Sequence, residues 1–110
     1  MNLLNQIILE GNCTEDAEVR NLPDGTKSVS VPIAVNHFFK NRAGESVTEV
    51  SFFDVEAYGS LAEYMESSCK KGCDIRLVGK LKQERWKDSE GRNQSKIIVI
   101  AEHIDTIDMK

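Results

Sequence analysis

The chain has 110 residues, 40% of them hydrophobic and 29% charged, the balance of one soluble globular domain (residues 1–110) and not of a disordered chain. No apolar run approaches a membrane span, and the first residues lack the basic and apolar regions of a signal peptide, so a cytoplasmic protein with no membrane partner is expected. A net charge of −4 argues against nucleic acid on totals alone, and three cysteines, an odd number, argue against a disulfide framework and supply too few ligands for a zinc site.

In chain order, the apolar run Leu3–Leu9, ending at Gly11-Asn12, predicts a first strand. Thr14–Arg20 is polar and expected to be irregular. Pro23-Asp24-Gly25 is a turn, with Pro setting φ and Gly free to take positive φ. Val29, Val31, Ile33 and Val35 alternate with Ser28, Ser30, Pro32 and Ala34 in a second strand that runs on into His37-Phe38-Phe39-Lys40. Pro32 cannot donate to a ladder, so its N–H side should meet an edge or a bulge. Asn41–Glu45 reads as a hairpin connection hinged at Gly44.

Val47–Tyr58 forms the third strand, with Phe53, Val55 and Ala57 on one parity and Phe52, Asp54, Glu56 and Tyr58 on the exposed one. Ser60-Leu61-Ala62-Glu63 has the form of a capping box, and Leu61, Met65 and Cys69 recur every four residues, which predicts a short helix. Lys70 and Lys71 fall where a helix C-terminus favours cations, with Gly72 just beyond. Cys13 and Cys69 read as small buried thiols.

Asp74–Trp86 is the fourth strand. Ile75, Leu77 and Leu81 share one parity; Arg76, Lys80, Lys82 and Trp86 share the other. Gly79 breaks the apolar row, as glycine does where a strand bends sharply or another backbone comes close. Asp88–Gly91 is a second hairpin turn. Lys96–Ala101 is a fifth strand, apolar at nearly every position and so buried on most sides, and the acidic remainder from Glu102 is weakly patterned. Five strands with one helix between the third and fourth is the plan of an all-β OB-fold barrel.

Charge is segregated along this order. Lys70, Lys71, Arg76, Lys80, Lys82, Arg85 and Lys87 stand against only Asp74 and Glu84, whereas residues 43–66 hold acids and no Lys or Arg. Motifs for phosphate loops, zinc hydrolases and nucleophile elbows are absent, so no enzyme and no cofactor is expected. Asp54 and Glu56 could in principle serve a small hydrolase or sugar-binding barrel; a solvated strand face is the simpler account. His37 reads as a surface imidazole and His103 as structural. Phe39, Phe52, Tyr58 and Trp86, next to loops or on the polar parity, together with Arg76, Lys80, Lys82 and Arg85, are most economically read as a base-stacking platform flanked by phosphate contacts.

The stretches Asn5–Asn12, Asp16–Arg20, Phe52-Phe53-Asp54-Val55, Tyr58–Glu63, Lys70-Lys71-Gly72, Val78-Gly79-Lys80-Leu81 and Arg85-Trp86-Lys87-Asp88, in this order and spacing, resemble the bacterial-type single-stranded DNA-binding proteins over about Asn5 to Ile104. The resemblance implies an OB fold, a homotetramer, and sequence-independent binding of single-stranded DNA in replication, repair and recombination, in the cytoplasm and at the nucleoid. It places stacking at Phe39, Phe52, Tyr58 and Trp86, with Phe replacing the larger tryptophan of some members at the first two. It places cations at Lys80, Arg85 and Lys87, and suggests Arg20, Arg76 and Lys96 in addition. Outward apolar residues such as Val78, Ile98 and Ile100 suggest a subunit interface.

Two departures shape the expectation. Asp54 and Glu56 put negative charge between Phe52 and Tyr58, which implies weaker binding than in a more basic relative, or phosphates routed elsewhere. The sequence ends Asp105–Lys110 without the Gly- or Pro-rich linker and acidic tip through which family members recruit replication and repair proteins, so recruitment by a tail is not expected. The alternative reading is a primosomal-type OB-fold paralogue acting mainly through replication-restart protein partners.

Overall fold

The computed structural model describes residues 3–107. The strands are β1 (Ile7–Cys13), β2 (Glu18–Asn21), β3 (Lys27–Lys40), β4 (Ser46–Tyr58), β5 (Asp74–Lys87) and β6 (Asn93–Ile107), with helix α1 (Gly59–Ser68) between β4 and β5. The sheet runs β1-β5-β6-β4-β3, and β1 pairs back onto β3 through Asn12↔Ala34 and Cys13↔Ile33, closing a five-stranded barrel. The short pairing of β4 with β6 at Val55↔Val99 and Glu56↔Ile100 is parallel; the others are antiparallel.

Closure depends on β3 sharing its length between two neighbours. Its first residues, Lys27–Ser30, carry β2, and Ile33–Ala34 carry β1. Pro32 sits at the changeover, where its carbonyl accepts from Thr14 N at 3.0 Å, so the missing N–H falls on the side where β3 has no continuous partner. β2 corrects the irregular reading of Thr14–Arg20: with Val19 as its one apolar residue it has little pattern of its own, and it exists because β3 offers an edge. β1 also lies later than the run Leu3–Leu9 suggests. Leu3 and Leu4 are exposed and the ladder continues through Gly11 to Cys13, where β5 and β3 supply backbone partners.

The core is the inward parity of the strands, Cys13, Val29, Val31, Ile33, Val55, Ala57, Ile75, Leu77, Val99, Ala101 and Ile104, joined by Ala62, Met65 and Cys69 of the helix region. The helix packs on β3, β4 and β6, and Lys27 Nζ holds Glu66 Oε1 at 2.8 Å, which raises the Lys27 pKa. The capping box does not form. Gly59, at φ +66°, turns the chain directly from strand into helix, so Tyr58 occupies the N-cap without a side-chain capping bond and Ser60 falls inside the first turn. Lys70 and Lys71 lie just past the helix, yet Lys70 Nζ donates to Glu66 O at 3.3 Å, so this lysine serves the helix end.

Gly79 meets the condition its place in the row suggested. A Cβ there would stand 2.2 Å from Ile100 O, so only glycine fits. The β5–β6 register shifts at the same point: Val78 pairs with His103 and Gly79 with Ala101, which leaves Glu102 as the extra residue of a bulge. The bulge resets the parity of β6, which then runs on to Ile107. That corrects the reading of a patternless acidic remainder; residues 108–110 lie outside those described. Beyond the barrel, β3–β4 and β5–β6 continue as two hairpin arms. Leu81, expected in the core, is 44% exposed because it already lies on the arm. His103, expected to be structural, is exposed on the surface beside Asp105.

Candidate nucleic-acid interface

On the outward parity of β4, Phe52, Asp54, Glu56 and Tyr58 face the same way as their β3 partners Ala34, Pro32, Ser30 and Ser28. Phe52 is 66% exposed and Tyr58 38%. On β5 the outward parity carries Lys80, Lys82, Glu84 and Trp86, the last 46% exposed at the base of the hairpin turn. Two depressions join these strands. One is bounded by Trp86, Arg85, Glu84 and Lys96; the other shares Glu84 and Lys96 and continues over Asp54 and Glu56 to Arg20. Phe52, Tyr58, Trp86, Lys80, Lys82, Lys96 and Arg20 therefore lie on one side of the sheet.

The remaining expected residues lie elsewhere. Arg85 and Lys87 project to the other side of the β5–β6 arm, where they border a depression of about 530 Å³ with Trp86 and Gln94, and Arg85 Nε donates to Gln83 Oε1 at 3.0 Å. Phe39 has the parity of Ile33 and Phe53, so it faces away from Phe52 on the β3–β4 arm. Arg76 lies on the β1–β5 wall, where its guanidinium holds Glu10 at 3.1 Å. Ile98 and Ile100 keep the outward parity, as expected, but are only 1% and 8% exposed, so they are covered and offer no free apolar surface. They lie directly opposite Lys82 and Lys80, long side chains suited to covering apolar neighbours with methylene stems while the charge stays in water.

Charge on the outer face is uneven. Around Arg20 and Lys96 stand Asp16, Glu18, Asp54, Glu56 and Glu84, and Lys96 Nζ is already bound to Asp54 Oδ2 at 3.3 Å. Tyr58 hydroxyl donates to Glu56 Oε2 at 3.3 Å; burial, then the charges of Glu56 and Glu84, raise its pKa and keep the phenol protonated. By contrast, Lys80, Lys82, Arg85 and Lys87 form no ion pair with any described residue. On this face the carboxylates gather in the middle, and the unpaired lysines Lys80 and Lys82 lie along β5.

One exposed aromatic escaped the sequence reading. Phe38 is 77% exposed and shares the outward parity of Phe52. The signal is in the alternation, since Phe38 is offset by an even number from Ala34 and Phe39 from Ile33, whereas the sequence reading selects Phe39 alone. His37 Nε2 lies 2.8 Å from Ser51 Oγ on the opposite side. Among the described residues no group of His, Cys, Asp and Glu is placed to hold a metal ion, and no helix is long and apolar enough to cross a membrane. Cys13 and Cys69 are fully buried and Cys73 partly; the hydrogen bond that the Cys13 thiol donates to Cys69, then burial, push the Cys13 thiol well above its usual range.

Comparison with known proteins locates this geometry. The family model described as the single-strand binding protein family matches residues 4–107. A single-stranded DNA-binding protein of Wolinella succinogenes is 40% identical over 98% of this chain and 67% of its own length. One from Aquifex aeolicus is 39% identical over 96% of this chain and 71% of its own. Among solved structures, the wild-type single-stranded DNA-binding protein of Thermus aquaticus superposes with a TM-score of 0.82 at 29% identity, covering 96% of this chain; the chain spans about half the length of that protein (50%). A Plasmodium falciparum single-strand binding protein solved with single-stranded DNA shares the fold at a TM-score of 0.87 and 19% identity.

Proposed function

The chain belongs to the single-strand binding protein family, and from that premise we propose that it binds single-stranded DNA without sequence preference and without catalysis. Bases stack on Phe52, Tyr58 and Trp86 on one side and on Phe39 on the other. Phosphates are drawn to Lys80, Lys82, Arg85 and Lys87, with Arg20, Arg76 and Lys96 in secondary positions because each stands beside carboxylates. The observation that carries the reading is the alternation of unpaired cations with an exposed indole along β5. Cations alone would suit any polyanion, and an exposed aromatic alone would suit any apolar partner. Interleaved on one strand edge, they fit a chain whose charges and flat rings alternate.

The proposal extends to a single OB-fold domain over residues 1–110, acting as a homotetramer in replication, repair and recombination in the cytoplasm. Val78 and the exposed Ile8 opposite it offer an apolar surface for self-association. Trp86, the sole tryptophan, is its own reporter. Adding an oligothymidine should quench its emission, and added salt should reverse the quench by restoring the counterions that binding released. Unchanged emission at low salt would contradict the proposal.

A further inference from the structure

The cysteines have no part in DNA binding, yet the fold brings all three together at one end of the barrel. Cys13 is the last residue of β1. Its N–H donates to Cys73 O at 2.8 Å, and its carbonyl accepts from Gly72 N at 2.8 Å. Gly72 is at φ +89°. One residue of β1 thus faces two that lead into β5, a bulge whose first residue is a left-handed glycine, and Cys73 stands opposite Cys13. Cys69 closes the helix: its N–H donates to Met65 O at 2.9 Å, and its carbonyl accepts from Ala17 N at 3.1 Å. Cys13 and Cys69 belong to the core, and Cys73 packs against it from the edge, the one cysteine with any exposure.

The three sulfurs are not equivalent. Cys73 Sγ donates to Asp74 O at 3.6 Å, on its own strand. The Cys13 thiol instead donates to the Cys69 sulfur. A hydrogen bond received favours the thiolate, and this one holds the Cys69 pKa below the usual thiol value; the same bond, then burial, raises that of Cys13. Cys69 is therefore the better nucleophile of the pair, and the thiol that would resolve its oxidised form already touches it. Packing alone accounts for small apolar side chains at these positions, and alanine or valine would serve it equally. Packing does not require that one S–H be aimed at a second sulfur.

We propose that Cys69 and Cys13 form an oxidation site for hydrogen peroxide, with a buried disulfide between them as the product and Cys73 marking the side from which the oxidant enters. The Cys69 thiolate attacks one peroxide oxygen. An S–O bond forms, the O–O bond breaks, and the departing hydroxide leaves as water with the proton that Cys69 gave up. The Cys13 sulfur then attacks the sulfenic sulfur of Cys69. The S–S bond forms, the S–O bond breaks, and this second hydroxide takes the Cys13 proton to leave as water. Two thiols are oxidised to one disulfide, and one peroxide is reduced to two waters. The bridge ties the end of β1 to the end of α1 and encloses β2, β3 and β4 in one loop, which restrains the unfolded chain.

Trypsin separates the three cysteines into peptides of residues 1–20, 43–70 and 72–76. The reduced full chain is treated with hydrogen peroxide, denatured in a thiol-blocking reagent, digested and mapped by mass spectrometry. The first two peptides should be joined and the third should carry the blocking group. The thermal midpoint should rise by roughly 10 °C and return on adding a dithiol reductant. Because Cys73 lies at the edge of the core, Cys73→Ser leaves the packing in place, and it should form the same bridge. Loss of the bridge in that variant would make Cys73 the attacking thiol and overturn the assignment. So would a bridge that includes residues 72–76, a bridge between chains, or sulfinic and sulfonic products at Cys69 in place of a bridge. Three unmodified thiols, under peroxide that fully oxidises free cysteine in solution, would overturn the site altogether.

Discussion

The two hairpin arms close in the same way. At the β3–β4 tip, Asn41 N donates to Glu45 O at 3.0 Å, Gly44 N to Asn41 O at 3.0 Å, and Asn41 Oδ1 takes the amides of Ala43 and Glu45. At the β5–β6 tip, Asp88 N donates to Arg92 O at 2.9 Å, Gly91 N to Asp88 O at 3.0 Å, and Asp88 Oδ1 takes the amides of Glu90 and Arg92. Gly44 and Gly91 supply the same left-handed residue, at φ +78° and +81°. What differs is the load. The β3–β4 arm presents aromatics on both sides and cations only at its tip. The β5–β6 arm presents one indole in a row of cations from Lys80 to Lys87. Identical turn chemistry thus supports two surfaces, one suited to stacking and one to holding phosphates, and the acids of the barrel lie between them.

The largest expected effect tests how the arms are rooted. Gly79→Ala at the foot of β5–β6 drives a Cβ into Ile100 O, and an overpacked backbone contact of this kind costs about 3 kcal/mol or more, a fall of roughly 12 °C or more in the midpoint of thermal unfolding followed by circular dichroism. Gly44→Ala at the tip of the other arm meets no atom within 4 Å, so it should cost only the left-handed backbone penalty of about 1–2 kcal/mol. Equal losses would mean that the foot is no tighter than the tip.

Next in size, Trp86→Ala should weaken oligothymidine binding by about 1–3 kcal/mol, roughly 5- to 150-fold, read by fluorescence anisotropy of a labelled oligonucleotide. It should leave the slope of affinity against salt almost unchanged. Lys80→Gln with Lys82→Gln should do the reverse: each phosphate contact removed flattens the slope of log affinity against log salt by about 0.7. A flattened slope from the tryptophan variant would break the division between stacking and charge.

The smallest effect is a pH difference between the two tips. The amide of Arg92, then the Gln94 side chain, hold the Asp88 carboxyl below the ordinary carboxylate range. Its folded pKa is depressed, so its contribution to the turn is present above the unfolded value of about 3.9 and is lost as pH falls through the folded one. Asn41 does not titrate. In an acid titration followed by NMR, the amides of Glu90 and Arg92 should shift and lose order below about pH 4, while those of Ala43 and Glu45 stay in place. Parallel behaviour at both tips would show that Asp88 is not what sets the β5–β6 turn.

Much of this protein follows from alternation and turn chemistry, both local. The apolar rows of β3, β4 and β5, the turns at Pro23–Gly25, Asn41–Glu45 and Asp88–Gly91, and the helix could be read residue by residue, because backbone geometry alone puts every second side chain on one face. The order of these elements was enough for the barrel. Even the separation of Phe38 from Phe39 was present in their parity. What tertiary structure alone decided is which strands become neighbours and where the barrel stops. β2 exists only because β3 offers it an edge; Leu81 is exposed because the barrel ends before it; Arg76 and Lys96 are engaged because Glu10 and Asp54, 66 and 42 residues away in sequence, are brought beside them. A side chain's face is a property of its own strand. Its charge partner is a property of the strand next to it, and that adjacency is set by closure of the whole sheet.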